Sequence, residues 1–331
     1  MSKIEKKLFK QIADAFRYHE TFIVTAHIRA DGDAIAAVCY VSETLRKLGK
    51  RVWPVIADPF PDPRYDFLPG FGQILSTHVD LPPDSIQVAI VLDSPSLERL
   101  GDAGKWVQMC PTIICIDHHP KNENFALLNL IDVHASSTCE ILAQLSAFMP
   151  IELAPDLANT LYAGILFDTG NFRFSNTSGN TLRIAAGLID SGANPEYTSH
   201  QLFHKTNILR VRTLAQVLQS IELLDGGKIA VSHLPYAFFA NQLGIDRELE
   251  GFSNLALSID GVQISIFMRE LEPMNFKISL RAIDNWDVAS VAEKFGGGGH
   301  RKASGCKIHG EYMNIVTQLI QHIHQFNPAF T

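Results

Sequence analysis

Several features that would place a protein in a class directly are missing from this 331-residue chain. Its five cysteines include no Cys-x-x-Cys pair, so the sequence predicts neither a disulfide framework nor a thiolate zinc site. No stretch of about 18 apolar residues occurs, so no membrane span is expected. The amino-terminal segment is amphipathic and charged, unlike a secretory signal. We therefore expect a protein of the reducing cytoplasm.

A surplus of positive charge is also absent. The chain has 28 Lys and Arg residues against 35 Asp and Glu residues, for a formal net charge of -7. A protein that coats long nucleic acids neutralises many phosphates with basic side chains, and this composition argues against that role. The net charge does not exclude a local, positively charged cleft in this acidic chain.

What the chain does contain is enough apolar material for sizeable cores. Apolar residues make up 46% of the sequence, which excludes a disordered chain. At about 150 residues per domain, the length predicts two domains.

The first half alternates short apolar runs with helical patterns. The runs suit strands that are buried on both faces, and they lie at 22–26, 51–56, 87–92 and 112–116. The helical patterns lie at 33–48, 138–148, 156–167 and 178–191, and 96–110 is long enough for a crossover helix. This alternation predicts an α/β domain, residues 1–194, with a mostly parallel sheet.

The pattern changes in the second half. Residues 195–224 read as a helical connector without a strand signal. Runs that alternate apolar and polar residues follow, as in a sheet with one covered face, and they lie at 228–234, 262–269 and 276–283. With helical patterns at 287–295 and 311–324, residues 225–331 are predicted to form a smaller α/β domain with a mixed sheet.

Acids and histidines cluster after the predicted strands of the first half. The set is His27, Asp31, Asp33, Asp93, Asp117, His118, His119 and, at the end of a helical pattern, Asp168. The carboxyl edge of an open parallel sheet is where ligands bind. So many acids at one edge would repel one another without cations, which predicts two divalent metal ions. Taken singly, some of these residues have an ordinary interpretation: His27 as a core or loop histidine, Asp31 and Asp33 as part of a turn, and Asp93 as a helix cap. The adjacent residues Asp117, His118 and His119 are harder to explain in this way, because three polar groups after a buried strand need partners.

The donor types indicate which metals to expect. Carboxylates and imidazoles without thiolates favour manganese, with magnesium, cobalt or iron as alternatives. A carboxylate shared by two ions holds them about 3.5–4 Å apart, the spacing used in phosphate-ester hydrolysis.

Four consecutive glycines precede His300, Arg301 and Lys302, and Arg281 ends a predicted strand nearby. Such glycines let the backbone approach a ligand and present N–H groups to an anion, so we expect a phosphate-binding loop rather than a packing feature. The alternative is a flexible hairpin. The spacing of a nucleotide-triphosphate P-loop is not met.

The motifs HIRADGDAI, VLDSP, CIDHHP, FDTGNFRF and FGGGGHRKASG, in this order, resemble the DHH phosphoesterase family over nearly the whole chain. Within the family the match is to the nanoRNase/pAp phosphatase branch, which is oligoribonuclease-like. The resemblance implies an N-terminal DHH domain with a parallel sheet, a C-terminal DHH-associated domain, and an active site in the cleft between them.

The resemblance also implies a role for each matched residue. His27 and Asp31 would ligate one metal ion, Asp33 the other, and Asp93 both. His118 and Asp168 would complete the metal ligands. His119 would stand beside the reacting phosphate, and Asp117 would orient the histidine pair. The ligands of the substrate's phosphate and sugar would be Arg281, Gly297, Gly298, Gly299 and His300.

The activity implied is that of a two-metal phosphoesterase. It would hydrolyse short RNA or DNA oligonucleotides to mononucleotides, and 3′-phosphoadenosine 5′-phosphate to AMP and phosphate. One alternative is a soluble phosphodiesterase that acts on linear pApA or cyclic dinucleotides. Another is a catalytically silent nucleotide-binding regulator, against which the complete ligand set argues. No obligate protein partner is indicated, and a homodimer stays open.

Overall fold

The structure is a computed structural model, and it describes residues 3–59, 61–77, 86–238, 249, 251–284 and 286–328. The chain forms two compact units, Met1–Lys205 and Thr206–Thr331. The division falls inside the connector predicted at 195–224. Within the described ranges, no helix is both long and apolar enough to cross a membrane.

The first unit is built on a parallel sheet. Its strands are β1 (Thr21–Thr25), β2 (Arg51–Ile56), β3 (Leu75–Ser76), β4 (Val88–Leu92), β5 (Thr112–Asp117) and β6 (Leu128–Ile131). Their order is β3-β2-β1-β4-β5-β6, and every pairing is parallel. The predicted parallel sheet is confirmed. The strand order reverses between β1 and β4, and the carboxyl ends of strands at such a switch point form a natural ligand site.

Helices cover both faces of this sheet. They are α1 (Lys3–Tyr18), α2 (Gly32–Lys47), α3 (Ala103–Gln108), α4 (Thr138–Ser146), α5 (Pro155–Asp168), α6 (Gly179–Asp190) and α7 (Pro195–Ser199). Alternate residues of β1 enter different cores: Phe22 packs on the side of α2 and α5, and Ile23 on the side of α3. The crossover helix predicted for 96–110 is wrong in extent, because that segment contains only a 3₁₀ turn at Glu98–Leu100 and the short α3.

The second unit has its own mixed sheet. Its elements are α8 (Ile208–Gln219), β7 (Glu222–Leu224), β8 (Ile229–Leu234), β9 (Ile264–Glu272), β10 (Asn275–Ala282), α9 (Ala289–Glu293), β11 (Gly298–His300), β12 (Ala303–His309) and α10 (Tyr312–Phe326). The strand order is β11-β12-β10-β9-β8-β7, and only β8 and β9 pair in parallel among these strands. The predicted mixed sheet is confirmed. The strand-free reading of 195–224 is wrong at its end, since Glu222–Leu224 pair with β8.

Candidate metal centre

Three neighbouring strands deliver polar side chains to one edge of the parallel sheet. His27 follows β1 by two residues, Asp93 follows β4 directly, and Asp117 is the last residue of β5. Asp93 has a φ of 51°, in the left-handed region that costs a non-glycine residue free energy. Its N–H donates to the carbonyl of Ile116 at 3.0 Å, which holds this conformation. The carboxylate of Asp93 is thereby aimed across the carboxyl ends of the strands.

The start of α2 supplies two more carboxylates. Asp31 is the N-cap residue, and its Oδ1 accepts from the backbone N–H groups of Asp33 at 3.1 Å and Ala34 at 3.2 Å. Gly32 is required between them because a β-carbon there would overlap the ring of Phe167 in α5. The loop and the two helices therefore fix both aspartates.

The first turn of α4 binds Asp33. The backbone N–H of Thr138 donates to Oδ2 of Asp33 at 2.7 Å, and the N–H of Cys139 donates to Oδ1 at 3.1 Å. A helix amino terminus favours a negative charge through these unpaired donors and the helix dipole. The hydroxyl of Thr138 also donates to Oδ1 of Asp93 at 3.0 Å. One helix end thus orients two of the predicted metal ligands.

His27, Asp31 and Asp93 form a first group of donor atoms, all within 4.8 Å of one another. Nε2 of His27 lies 3.5 Å from Oδ2 of Asp93 and 4.0 Å from Oδ1 of Asp31. Ligand atoms that share a cation at bonds of about 2.1 Å lie about 3–4 Å apart. The group therefore fits one divalent cation.

Asp33, His118 and Asp168 form a second group within the same limit. Nε2 of His118 lies 3.3 Å from Oδ2 of Asp168 and 3.4 Å from Oδ1 of Asp93. Asp93 therefore turns one oxygen toward each group, as a carboxylate shared by two cations must. The structure brings together all six residues that the sequence predicts as metal ligands, and it places His118 and Asp168, which had been assigned to neither ion, with Asp33.

His119 is held differently from His118. Its Nδ1 lies 2.7 Å from Oδ1 of Asp117, which is fully buried, and the Nδ2 amide of Asn122 donates to Oδ2 of Asp117 at 2.7 Å. A third donor group, Asp93 with both histidines, also meets the distance limit. Because Asp117 already engages Nδ1 of His119, that nitrogen is not free for a metal ion. The half-exposed ring instead has its Nε2 for contact with a substrate.

The glycine stretch of the second unit is part of a β-hairpin. β11 pairs with β12, and a β-carbon on Gly297 would overlap the carbonyl of Gly305. Gly299 has a φ of 146°, and a β-carbon there would lie 2.5 Å from the carbonyl of Ala303. Packing alone thus demands glycine at two positions, which corrects our expectation that these glycines have no packing role. Gly298 has open space beside it, so this argument does not explain it.

The hairpin places Arg281 and His300 on one face of the sheet. Ala303 of β12 is the register partner of Arg281 in β10 and of His300 in β11. Residues directly opposite in neighbouring strands share a face, so the two side chains flank Ala303. Burial lowers the pKa of Arg281, whose Nη1 donates to the Leu280 carbonyl at 2.9 Å.

Two family models match the chain. The one described as the DHH family, N-terminal domain, covers residues 21–165, and the one described as the DHHA1 domain covers residues 227–326. The bifunctional oligoribonuclease and PAP phosphatase NrnA of Thermus thermophilus is 32% identical over 87% of this chain and 84% of that protein.

The chain belongs to the DHH family.

Solved structures agree with this assignment. This DHH chain is similar to the crystal structure of an exopolyphosphatase-related protein from Bacteroides fragilis, with a TM-score of 0.80 and 25% identity. The match covers 100% of this chain and 99% of the Bacteroides chain. Exonuclease RecJ bound to manganese shares the fold at a TM-score of 0.52 and 12% identity, over 98% and 95% of the two chains. The family predicted from the motifs is confirmed.

The electrostatics of the DHH unit are those of a site that holds positive charge. Burial alone would lower the pKa of His27, but contact with Asp93 and the Ile28 carbonyl outweighs it and raises the pKa to about 9. Burial also opposes the charged form of His118, whose contact with Asp93, together with Asp33 and Asp168, raises its pKa to about 10. Without cations, both imidazoles therefore carry protons that balance the acids.

The carboxyl groups show the same tendency. Burial, followed by repulsion from Asp33 and Asp93, raises the pKa of Asp168 to about 9. Burial and the charge of Asp93 raise the pKa of Asp33 to about 7. Burial also opposes ionisation of Asp93, yet contacts with His118 and His27 dominate and lower its pKa. Since metals bind deprotonated ligands, divalent cations should displace protons from this cluster.

We expect the metal-free protein to lose stability as the pH rises from about 6 to 9. The folded-state pKa values of Asp33, Asp168, His27 and His118 are raised, so the folded chain binds more protons than the unfolded chain in this window. Each extra proton lowers the free energy of unfolding by about 1.4 kcal/mol per pH unit. Denaturant titrations in chelator at several pH values measure the slope.

The Mn²⁺-loaded protein is the control for that slope. The ions replace the protons, so the stabilisation by Mn²⁺ should grow with pH. A free energy of unfolding that stays flat or rises between pH 6 and 9 in chelator would contradict this account of the cluster.

Two residues of the centre escaped the sequence analysis. Thr138 was recognised only as the first residue of a predicted helix, and Asn122 carried no signal at all. Their hydrogen bonds to Asp93 and Asp117 depend on how α4 and the loop after β5 fold back on the strand ends. The position of Thr138 in the first helical turn was the one clue available.

Proposed function

We propose that this DHH protein is a two-metal phosphoesterase that hydrolyses short oligonucleotides to mononucleotides and 3′-phosphoadenosine 5′-phosphate to AMP and phosphate. The observation that carries the proposal is the pair of donor groups that meet at Asp93. The name of the 32% identical relative, an oligoribonuclease and PAP phosphatase, supports the substrate class.

The ligands divide between two ions. His27 and Asp31 would hold one cation, and His118, Asp33 and Asp168 the other, with one oxygen of Asp93 for each. Bound there, two divalent cations would lower the pKa of coordinated water and neutralise the charge of a phosphate. The mixture of carboxylates and imidazoles favours Mn²⁺, with Mg²⁺ or Co²⁺ as alternatives.

His119 acts on the phosphate in this proposal. Its Nδ1–H donates to the buried carboxylate of Asp117, which fixes the ring and leaves Nε2 as the group that meets the substrate. A protonated Nε2 would donate a hydrogen bond to a phosphoryl oxygen or a proton to the leaving oxygen. The hydrogen bond from His119 to Asp117 raises the pKa of His119, which favours its protonated, donor form.

The DHHA1 unit supplies the substrate contacts. Arg281 and His300 share one face of its sheet, and we assign them, with Gly297, Gly298 and Gly299, to the phosphate and sugar of the substrate.

We propose that the protein works in a reducing compartment, the cytoplasm. All five cysteines are free and buried, and burial raises the pKa of Cys39 and Cys139, which keeps these thiols protonated and unreactive.

The metal content gives the first test. We expect about two Mn²⁺ per chain, and loss of activity when a chelator removes them, because both donor groups need a cation to balance their acids. Elemental analysis together with release of mononucleotide from a dinucleotide measures both. One zinc ion per chain, or full activity in chelator, would rule out the two-metal mechanism, and binding without turnover would favour the silent regulator.

The length of the substrate gives the second test. Dinucleotides to pentanucleotides should be cut much faster than 24-mers, because an acidic chain offers few phosphate contacts. About one to three contacts predict a slope of log affinity against log salt no steeper than about three. A panel of labelled oligonucleotides, 3′-phosphoadenosine 5′-phosphate and linear pApA ranks the substrates. Faster cutting of 24-mers would point to a RecJ-like enzyme, and preference for pApA to the phosphodiesterase alternative.

A further inference from the structure

The loop that follows Asp168 has a strained backbone. Gly170, Asn171 and Phe172 have consecutive φ values of 55°, 62° and 61°. Only glycine adopts this region freely, so the two other residues cost free energy. The N–H of Asn171 donates to the Leu166 carbonyl at 2.8 Å, and that of Phe172 to the hydroxyl of Thr169 at 3.1 Å. The loop is therefore held in one shape despite its strain.

Two phenylalanines in this loop have opposite environments. The ring of Phe172 packs against Tyr162, with ring centroids 6.1 Å apart. The ring of Phe174 is 56% exposed, and it lies against Gly170, where any β-carbon would overlap it. The close approach at Gly170 thus holds an aromatic ring in place while more than half of it stays open to solvent.

The position of Phe174 relates it to the metal centre. Gly170, on which the ring rests, is two residues from Asp168, so their α-carbons are at most about 7.5 Å apart. Nε of Arg173 donates to the Gly170 carbonyl at 2.9 Å, which holds a guanidinium at the same turn. An exposed aromatic face and a guanidinium thus lie on the loop that directly follows the proposed metal ligand Asp168.

We propose that Phe174 is the stacking platform for a nucleobase of the substrate, on the nucleotide whose phosphate meets the metal centre. Bases stack on aromatic side chains without regard to sequence, and loss of such a platform weakens binding roughly 10- to 100-fold. This assignment rests on the proposed function, to which it adds a binding site for the nucleobase.

The test compares substrates with and without a base. For Phe174→Ala, kcat/KM on a dinucleotide should fall roughly 10- to 100-fold, mainly through KM. On a dinucleotide with an abasic sugar at the contacted position, the variant and the wild type should be equal. Dinucleotides that lack either the first or the second base are both tested. The isomer on which the variant and the wild type are equal identifies the nucleotide whose base contacts Phe174. Phe174→Trp should stay within about threefold of the wild type.

Tyr18→Ala is the matched control. Tyr18 is 72% exposed and ends α1 three residues before β1, at the amino-terminal edge of the sheet, away from the metal centre. It should leave all rates unchanged. Phe174→Leu keeps the apolar bulk without the ring face, so it replaces the alanine variant if that one loses bound metal.

Two outcomes overturn the assignment. One is a kcat/KM within twofold of the wild type for both Phe174→Ala and Phe174→Leu. The other is an equal loss on abasic and intact dinucleotides. The failure of the proposed function itself looks different, because the wild type with Mn²⁺ would then release no mononucleotide from any dinucleotide.

Discussion

Asp93→Ala should lose bound metal and hydrolysis together, with activity down roughly a thousandfold or more. Asp93 lies 3.5 Å from His27 and 3.4 Å from His118, with a different oxygen toward each. Removing it leaves both donor groups one ligand short and leaves the carboxylates around them without the cations that offset their repulsion. Elemental analysis and single-turnover rates on a dinucleotide measure the two effects. A variant that keeps two ions per chain would contradict the shared-ligand geometry.

Arg281→Ala and His300→Ala are the contrasting variants. Both residues belong to the DHHA1 unit, so their loss should leave the metal content unchanged. A lost charge-assisted contact to phosphate lowers kcat/KM by roughly 10- to 100-fold. The loss falls in KM if the contact is equal in ground and transition states, and in kcat if Arg281 meets the reacting phosphate. Wild-type kinetics in both variants would refute their assignment to the substrate.

Gly164→Ala should weaken metal binding by displacing Asp33, a predicted ligand, from the side of α5. Gly164 lies in α5, where a β-carbon would overlap Sγ of Cys139 and lie 2.6 Å from Oδ1 of Asp33. Asp33 is fixed by two N–H groups of α4, so it cannot move without breaking them. We expect the free energy of unfolding to fall by about 1–3 kcal/mol and Mn²⁺ affinity to fall by roughly tenfold or more. Denaturant titration in chelator and Mn²⁺ titration separate the two.

Gly187→Ala is the matched control for that variant. Gly187 lies in the neighbouring helix α6, and no atom lies within 4 Å of the position its β-carbon would take. Alanine should stabilise α6 by up to about 1 kcal/mol and leave the metal affinity unchanged. An unchanged Mn²⁺ affinity in Gly164→Ala as well would show that Asp33 tolerates displacement.

The metal side of the site was predictable because the sheet is parallel. Continuous β-branched runs identified β1, β4 and β5, and the carboxyl ends of parallel strands meet at one edge. His27, Asp93 and Asp117 therefore had to converge, whatever the loops between the strands do. The short strands β3 and β6 escaped prediction, since two and four residues are too few for a periodic signal.

The hydrogen bonds that orient the ligands were beyond the sequence. The pattern at 138–148 predicted the start of α4, and Ser137 caps it there, its hydroxyl accepting from the Glu140 N–H at 3.0 Å. That the next two N–H groups bind Asp33, a residue more than 100 positions earlier, follows only from the packing of α4 against α2. A local pattern can predict a helix end, but not the side chain that the helix end will bind.

The glycine stretch shows the converse difficulty. Successive glycines suggested a ligand loop, yet Gly297 and Gly299 are explained by the close approach of β12. The partner strand follows the glycines at once, so the hairpin was present in the sequence as the alternative reading. Only the distances from the β-carbon positions of Gly297 and Gly299 to the carbonyls of Gly305 and Ala303 show that backbone packing explains these glycines.

The left-handed backbone at Asp93 restricts which amino-acid substitutions this centre can accept during evolution. At a φ of 51°, asparagine and glycine are the substitutes that the backbone accepts with least strain. Glutamate, although it keeps the charge, would meet a steric penalty before its longer side chain reached an ion. A lineage that abandons catalysis while keeping the fold should therefore carry asparagine or glycine at this position, and one that retains catalysis should keep aspartate.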